Sequence, residues 1–515
     1  MSSPTHDFPF ADSPVRLAID LGASSGRIMA SWFDGDCMRL AEVHRFENRP
    51  VPVAGSLQWD LLALWESILD GLNRLGRSDA NVLSIGCDSW GVDYVLLRSD
   101  GLVAGPAFNH RDRRTEGMVA AVSAKVSPER LYDASGLQVL PINTVYQLAA
   151  DRRVEPSSLD IAHYFMMIGD YFHYLLSGSV SIEATNASTT GLLDPRTRRW
   201  RSDLMDELSI PRSLFAPVQT PGSTVGTLTD EVAARTGLSN VDVIAPATHD
   251  TASAVLSVPV GGGPTEDSTA DASWCYISCG TWSLMGIETT TPIIDETARS
   301  LNFTNEGGVG NTTRVLKNIG GLWVFQQIRA SLARQGVSVD WNSMVTAASD
   351  AVPLAVLVDP DDAELHAADD MVDAVNRYVD RTGQPPIESR GQMYRASLEG
   401  LALRYRYTLE QLQQMLGHRI EIVHIVGGGC QNQMLCQMTA DACDRVVVAG
   451  PGEATAIGNA LVQWMADGRI ESIAAARDVV RRSFETLAYR PAENRGRWDE
   501  AFERFTYNIN ASQPT

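Results

Sequence analysis

Apolar residues cluster at 17–19, stop at the carboxylate Asp20 and resume at 28–33 after a turn of small residues, Gly22, Ala23, Ser24, Ser25 and Gly26. Two short apolar runs around a Gly/Ser turn predict a β-hairpin. Further runs predict strands at 38–46, 82–87 and 92–97. Asp60 precedes a helical pattern that runs to Leu75 and ends at Gly76, the order of a helix N-cap and C-terminal glycine. Mostly helical patterning follows, including 144–150 and 170–176, then a strand at 241–245 and a helix at 251–256. This alternation predicts an α/β class.

The pattern breaks at 259–273, a stretch of Gly, acidic and small polar residues that reads as a hinge or loop. The opening theme then returns: a strand pattern at 274–278, the turn Gly280, Thr281, Trp282, Ser283, and a second apolar run at 284–287. Helix patterns at 322–332, 366–379 and 392–415 alternate with strands at 420–426 and 445–448. The expected organisation is a disordered tail (1–14), an α/β domain (15–256), a hinge (257–273), a second α/β domain (274–490) and a C-terminal helix and tail (491–515), with a cleft between the domains.

Composition narrows the function classes. The chain has 515 residues, 44% hydrophobic and 20% charged, with a net charge of −21. That charge argues against nucleic acid or anionic membrane as a partner, and a bound anion would need local help. No apolar run approaches the ~18–20 residues that span a bilayer, and the N-terminus lacks the charged and apolar regions of a signal peptide. The seven cysteines match no zinc spacing, so reduced, structural thiols in a cytoplasmic protein are expected.

Five places carry candidate chemistry. The first turn is either an ordinary hairpin turn or a phosphate cradle, in which small residues admit backbone N–H groups, Ser24 and Ser25 add hydroxyls and Arg27 a guanidinium. Asp20 at the strand end would then suit a hydrated Mg²⁺. Asp250, in Thr248-His249-Asp250-Thr251, is either a plain N-cap or a base kept ionised by the helix dipole. Gly427-Gly428-Gly429 between strand and helix is a tight turn or a close approach to a flat ligand or phosphate. Asn318 is a sugar contact or a helix cap. Trp90 with Gly91 suits a sugar face, and the run from Arg111 to Arg114 is part of that site or a solvated charge cluster. No G-x-x-x-x-G-K-[ST] occurs and no G-x-G-x-x-G follows a strand, which removes P-loop and Rossmann readings.

Taken in order, these sites resemble the FGGY family of carbohydrate kinases, of the actin/hexokinase-like superfamily. The resemblance is carried by Asp20-Leu-Gly-Ala-Ser-Ser-Gly-Arg27, Trp90-Gly-Val-Asp93, Thr185-Asn-Ala-Ser-Thr-Thr190, His249-Asp-Thr-Ala-Ser-Ala254, Gly280-Thr-Trp-Ser-Leu-Met-Gly286, Leu316-Lys-Asn-Ile-Gly-Gly-Leu-Trp323 and Val426-Gly-Gly-Gly-Cys-Gln-Asn432. It implies two ribonuclease H-like α/β domains flanking a catalytic cleft. It also implies ATP and Mg²⁺, and a small ketose phosphorylated at a hydroxyl: L-rhamnulose at its 1-hydroxyl, with L-fuculose or L-xylulose as alternatives. A non-catalytic sugar sensor on this fold would lack the base or the phosphate turn. By the same resemblance Ala23, Ser24, Ser25, Gly26 and Arg27 line the ATP phosphates with Thr281, and Gln326 and Gly428 complete the nucleotide site. Gly91, His249, Asp250, Thr251 and Asn318 contact the sugar, Asp250 is the proton acceptor and Asp20 organises Mg²⁺. Thr248 stands where Ser is usual. Thr439 replaces a cysteine of some relatives, so a disulfide to Cys443 is not available.

Overall fold

The computed structural model describes residues 8–10, 13–154, 157–261, 273–366, 368–493 and 495–512. It divides into two compact units, Met1–Ser268 with Glu288–Val315 and Ala454–Phe484, and Thr269–Ile287 with Leu316–Glu453 and Glu485–Thr515. Most of the expected tail and hinge, residues 1–7, 11–12 and 262–272, lie outside the described residues. The tail expectation fails at its middle: Phe10 is buried, its ring 5.1 Å from Phe8 and 5.3 Å from Trp32.

The first unit is built on a six-stranded sheet ordered Thr224–Thr227, Asp242–Ile244, Asn81–Ser89, Pro14–Leu21, Ser25–Asp34, Cys37–Glu47. Pro14–Leu21 pairs antiparallel with its hairpin partner and parallel with Asn81–Ser89, which pairs parallel with Asp242–Ile244. The period-2 pattern of the first strand sorts its two faces. Val15, Leu17, Ile19 and Leu21 enter a core shared with the helices Leu61–Gly76 and Ile168–Ser177. Arg16, Ala18 and Asp20 turn to the other face, where Ala18 packs on Ala456 of the helix Ala454–Ala466. Asp60 caps Leu61–Gly76 as expected, accepting from the Ala63 N–H at 3.0 Å.

The second unit repeats the theme. Trp274–Cys279 pairs antiparallel with Ser283–Thr289 and parallel with Ile422–Val426, as the first hairpin does with Asn81–Ser89. Val446–Ala449 and Leu487–Tyr489 extend that sheet. Two expected elements are corrected. The pattern at 366–379 resolves into Ala363–His366 and Met371–Arg381, the latter capped by Asp370, which accepts from the Val372 and Asp373 N–H groups. Asn318 is not a helix cap but lies in the strand Thr313–Ile319, and the following helix begins at Trp323. Among the described residues no helix is long and apolar enough to cross a membrane.

Candidate active site

The carboxyl ends of three parallel strands gather the first unit's candidate residues. Asp20 stands opposite Arg27 across the hairpin and beside Asp88 on the parallel neighbour. Directly opposed residues share a face, so Arg27 folds over Asp20, its Nε at 2.9 Å and Nη2 at 2.7 Å from Oδ2. The expected metal organiser and phosphate-binding guanidinium are therefore ion-paired. In the turn, Gly22 N–H donates to the Ser25 carbonyl and Asn48 Nδ2 to the Gly22 carbonyl, with Ala23, Ser24 and Ser25 at the surface or half-buried. Gly26 is buried beneath the Phe46 ring, where a Cβ has no room.

Past the strand Asp242–Ile244 the chain runs through Thr248 and His249 into the short helix Asp250–Leu256. His249, not Asp250, is its N-cap; Asp250 is the first helical residue. The entry is held by a buried carboxylate. Glu183 Oε2 accepts from the Thr248 N–H at 2.8 Å and its hydroxyl at 2.7 Å, while Thr185 Oγ1 accepts from the His249 N–H. The hydroxyl of Thr248 is the atom Glu183 uses, and serine would supply the same one.

Asp250 keeps 30% of its side chain accessible and accepts from its neighbour Thr251, through N–H at 2.6 Å and hydroxyl at 3.2 Å. Burial pushes its carboxyl above the ordinary aspartate range; His249 pulls it back and Asp20 adds to the rise. Burial and the Asp20 carboxylate thus work against the helix dipole expected to favour its ionised form. Asp88, beside Asp20, is pushed much further up by burial and then by Asp20. Its Oδ2 accepts from Asn459 Nδ2 at 2.6 Å, while its buried Oδ1 has no hydrogen-bond partner.

His249 Nε2 lies 3.5 Å from Asp250 Oδ1. A Cβ on Gly91 would stand 3.1 Å from that nitrogen, so glycine leaves it uncovered. Behind the ring, Nδ1 meets Arg314 Nη2 at 2.8 Å and Glu306 Oε2 at 3.3 Å. Trp90 is not an open sugar platform. It is buried on Trp59, centroids 4.2 Å apart, and both indoles donate to Asp93. The arginine run divides. Arg114 pairs with Asp151, Arg113 is exposed and pairs with Glu116, and burial lowers Arg111 to about 10.

The second unit gathers the others. The turn after Trp274–Cys279 is closed by Gly280 N–H on the Trp282 carbonyl, and the Leu322 and Trp323 N–H groups donate to the carbonyls of Gly280 and Thr281. This docks the start of the helix Trp323–Arg334, which carries Gln326, against Thr281. Gly427 and Gly429 abut Cys279, where a Cβ on Gly429 would strike the sulfur; Gly428 is exposed beside them. Thr281, Gln326 and Gly428 therefore stand on three adjoining segments, and Asn318 is half-buried near the end of its strand.

Asp88 and Glu306 lie in motifs that stand out in the sequence but carry no evident role there; Glu183, Arg314 and Asn459 lie outside those motifs. Asp88 and Arg314 are visible as charges inside apolar strand patterns.

The FGGY carbohydrate kinase N-terminal domain matches residues 15–257 and the C-terminal domain residues 275–466. A rhamnulokinase of Bacteroides thetaiotaomicron is 40% identical over 490 residues, 95% of this chain and 98% of that protein. One of Pectobacterium atrosepticum is 41% identical over 477 residues, 92% of each. Among solved structures, a ligand-bound xylulose kinase from Lactobacillus acidophilus aligns with a TM-score of 0.79 at 15% identity, covering 97% of this chain and 98% of that one. A Plasmodium falciparum glycerol kinase aligns at 0.75 and 15%, covering 98% and 99%. At such identity these two speak for the fold alone. The chain belongs to the FGGY family of carbohydrate kinases and is an ATP-dependent sugar kinase.

Proposed function

We propose that this chain phosphorylates L-rhamnulose at its 1-hydroxyl, with Asp250 as the proton acceptor and ATP as donor. The observation that carries the chemistry is Asp250 itself, a partly accessible carboxylate of raised basicity with His249 Nε2 at its edge. The curated relatives named rhamnulokinases, 36–41% identical over most of the chain, support the choice of sugar. In the step, the sugar hydroxyl gives its proton to Asp250, its oxygen bonds to the γ-phosphorus, and the bond from that phosphorus to the bridging oxygen breaks to release ADP. Phosphoryl transfer asks of the protein mainly positioning and charge neutralisation. On this reading Gly91, His249, Thr251 and Asn318 surround the sugar. The turn from Ala23 to Arg27, with Thr281, Gln326 and Gly428, holds the nucleotide.

Mg²⁺ fits the donor set. Asp20 raises the proton affinity of both Asp88 and Asp250, and Asp88 presents an unpartnered buried oxygen. Mg²⁺ is commonly held through water by one or two carboxylates. Asp20 and Asp88 would hold it, and it would supply charge neutralisation at the phosphates. Seven unpaired thiols and the use of ATP support a cytoplasmic location.

The sugar is tested by ADP release over a ketose panel. L-rhamnulose is expected to give the highest kcat/KM; a higher value for L-fuculose or L-xylulose reassigns the substrate. No sugar-dependent ADP release from any ketose turns the reading to a sugar sensor. The pH profile tests the base. Asp250 acts ionised, so kcat/KM falls as pH drops through its carboxyl pKa, and burial has moved that pKa upward. The acid limb is expected above the ordinary aspartate range of about 3.9; a limb at or below that range removes Asp250 as the group observed.

A further inference from the structure

We infer that Arg314 sets the tautomer of His249, making Nδ1 an acceptor and keeping the ring proton on Nε2, the nitrogen that faces Asp250 and Gly91. Arg314 is then a positioning residue for the transferred hydroxyl.

Arg314 is fully buried and anchored by its Nε, which donates to the Gly307 carbonyl at 2.9 Å. Its Nη2 stands 2.8 Å from His249 Nδ1 and 3.1 Å from Glu306 Oε2. A guanidinium nitrogen carries only hydrogens and cannot accept. A proton on Nδ1 would therefore confront another hydrogen across 2.8 Å. The lone pair must be on Nδ1, and in a ring bearing one proton that proton sits on Nε2.

Glu306 is the competitor that makes Arg314 necessary. Its Oε2 is 3.3 Å from Nδ1. Burial pushes its carboxyl up, but the Arg314 guanidinium 3.1 Å away helps hold it below the usual glutamate range. An ionised carboxylate beside Nδ1 draws the ring proton to that nitrogen, as second-shell carboxylates do to metal-bound histidines. Left alone with Glu306, His249 would turn a bare lone pair toward the carboxylate of Asp250. With Arg314 Nη2 nearer to Nδ1 than Glu306 is, and Glu306 ion-paired with the same guanidinium, Nε2 remains a donor.

The consequence for the reaction rests on the proposed role of Asp250. A sugar oxygen seated between Nε2 and Asp250 accepts from the Nε2–H while giving its own proton to the carboxylate. Both contacts select one orientation of that hydroxyl, which is how a buried arginine without sugar contact affects sugar binding.

The direct test reads the proton, not the activity. In the full chain labelled with ¹⁵N-histidine, the nine rings are followed by NMR, and H249N identifies the signal of His249. The expected signature is a protonated Nε2 and an unprotonated Nδ1. In Arg314→Met the proton should move to Nδ1. The KM for the sugar should then rise roughly tenfold, the loss of one hydrogen bond, with the KM for ATP unchanged. Arg314→Met strands Glu306 and is liable to unfold, so Glu306→Gln is the second variant; it keeps Arg314 on Nδ1 and should retain the Nε2 proton. A proton on Nδ1 in the unaltered chain, or a tautomer that follows Glu306→Gln, overturns the proposal. If Asp250 is not the base, the NMR result stands and only the kinetic part fails, so the two failures can be told apart.

Discussion

Asp250→Asn is expected to lower kcat by ~10²–10⁴-fold, the usual contribution of a general base, while ATP binding stays intact. The substitution is close to isosteric. The amide oxygen can still accept from the Thr251 N–H and hydroxyl, which hold Asp250 now, so the start of the helix Asp250–Leu256 need not move. What disappears is the negative charge, and with it the proton acceptor. The same substitution removes a carboxylate that burial and Asp20 both work against, so the folded state should not lose stability. Three measurements separate the possibilities: turnover by coupled ADP release, ATP affinity by calorimetry, and the thermal melt. Turnover must collapse alone. Near-normal turnover sinks the assignment of the base, and a fall in melting temperature with the loss of activity would show damage to the fold.

Much of this site could be read along the chain because its parts are local. A hairpin is two runs and a turn, so Asp20 and the turn from Ala23 to Arg27 were legible from spacing, and so was the echo at Thr281. The entry to the Asp250 helix was legible too, though the cap fell one residue earlier, on His249. The surroundings of these residues were not legible, because tertiary contacts bring them together. Asp88 meets Asp20 only through the register of two parallel strands. Arg314 meets His249 only once the strand Thr313–Ile319 is in place. A helix start at Asp250 is visible in the sequence, but the burial and the Asp20 carboxylate that work against its dipole are not. The same holds for Trp90. An aromatic beside a glycine suggests a sugar platform until Trp59 and Asp93 are found to occupy its face and edge.

Gly458→Ala should destabilise the first unit by about 1–3 kcal/mol or more, the cost of forcing a methyl group into a filled interior. Alanine is the better helix former, so local propensity predicts the opposite sign. The structure decides between them. Gly458 lies in Ala454–Ala466 where that helix crosses Asp250–Leu256, and a Cβ there would fall well inside contact distance of the Ser253 carbonyl and Cα. These are backbone atoms and cannot swing aside. The helices must separate, and the shift reaches the chemistry from both sides: Ser253 stands on the helix that Asp250 opens, and Asn459 carries the amide that holds Asp88. Gly496→Ala is the control. Gly496 lies in the helix Arg495–Ser512 with open space where its Cβ would be, so alanine there should be neutral or stabilising by up to ~1 kcal/mol. Thermal melts of the two variants, with turnover measured well below the melt, read the difference. Gly458→Ala should melt earlier and turn over more slowly, and Gly496→Ala should do neither. Equal melting of the two would mean that the helix crossing has slack at Gly458, and that the close approach is not what holds Asp250 beside Asp20.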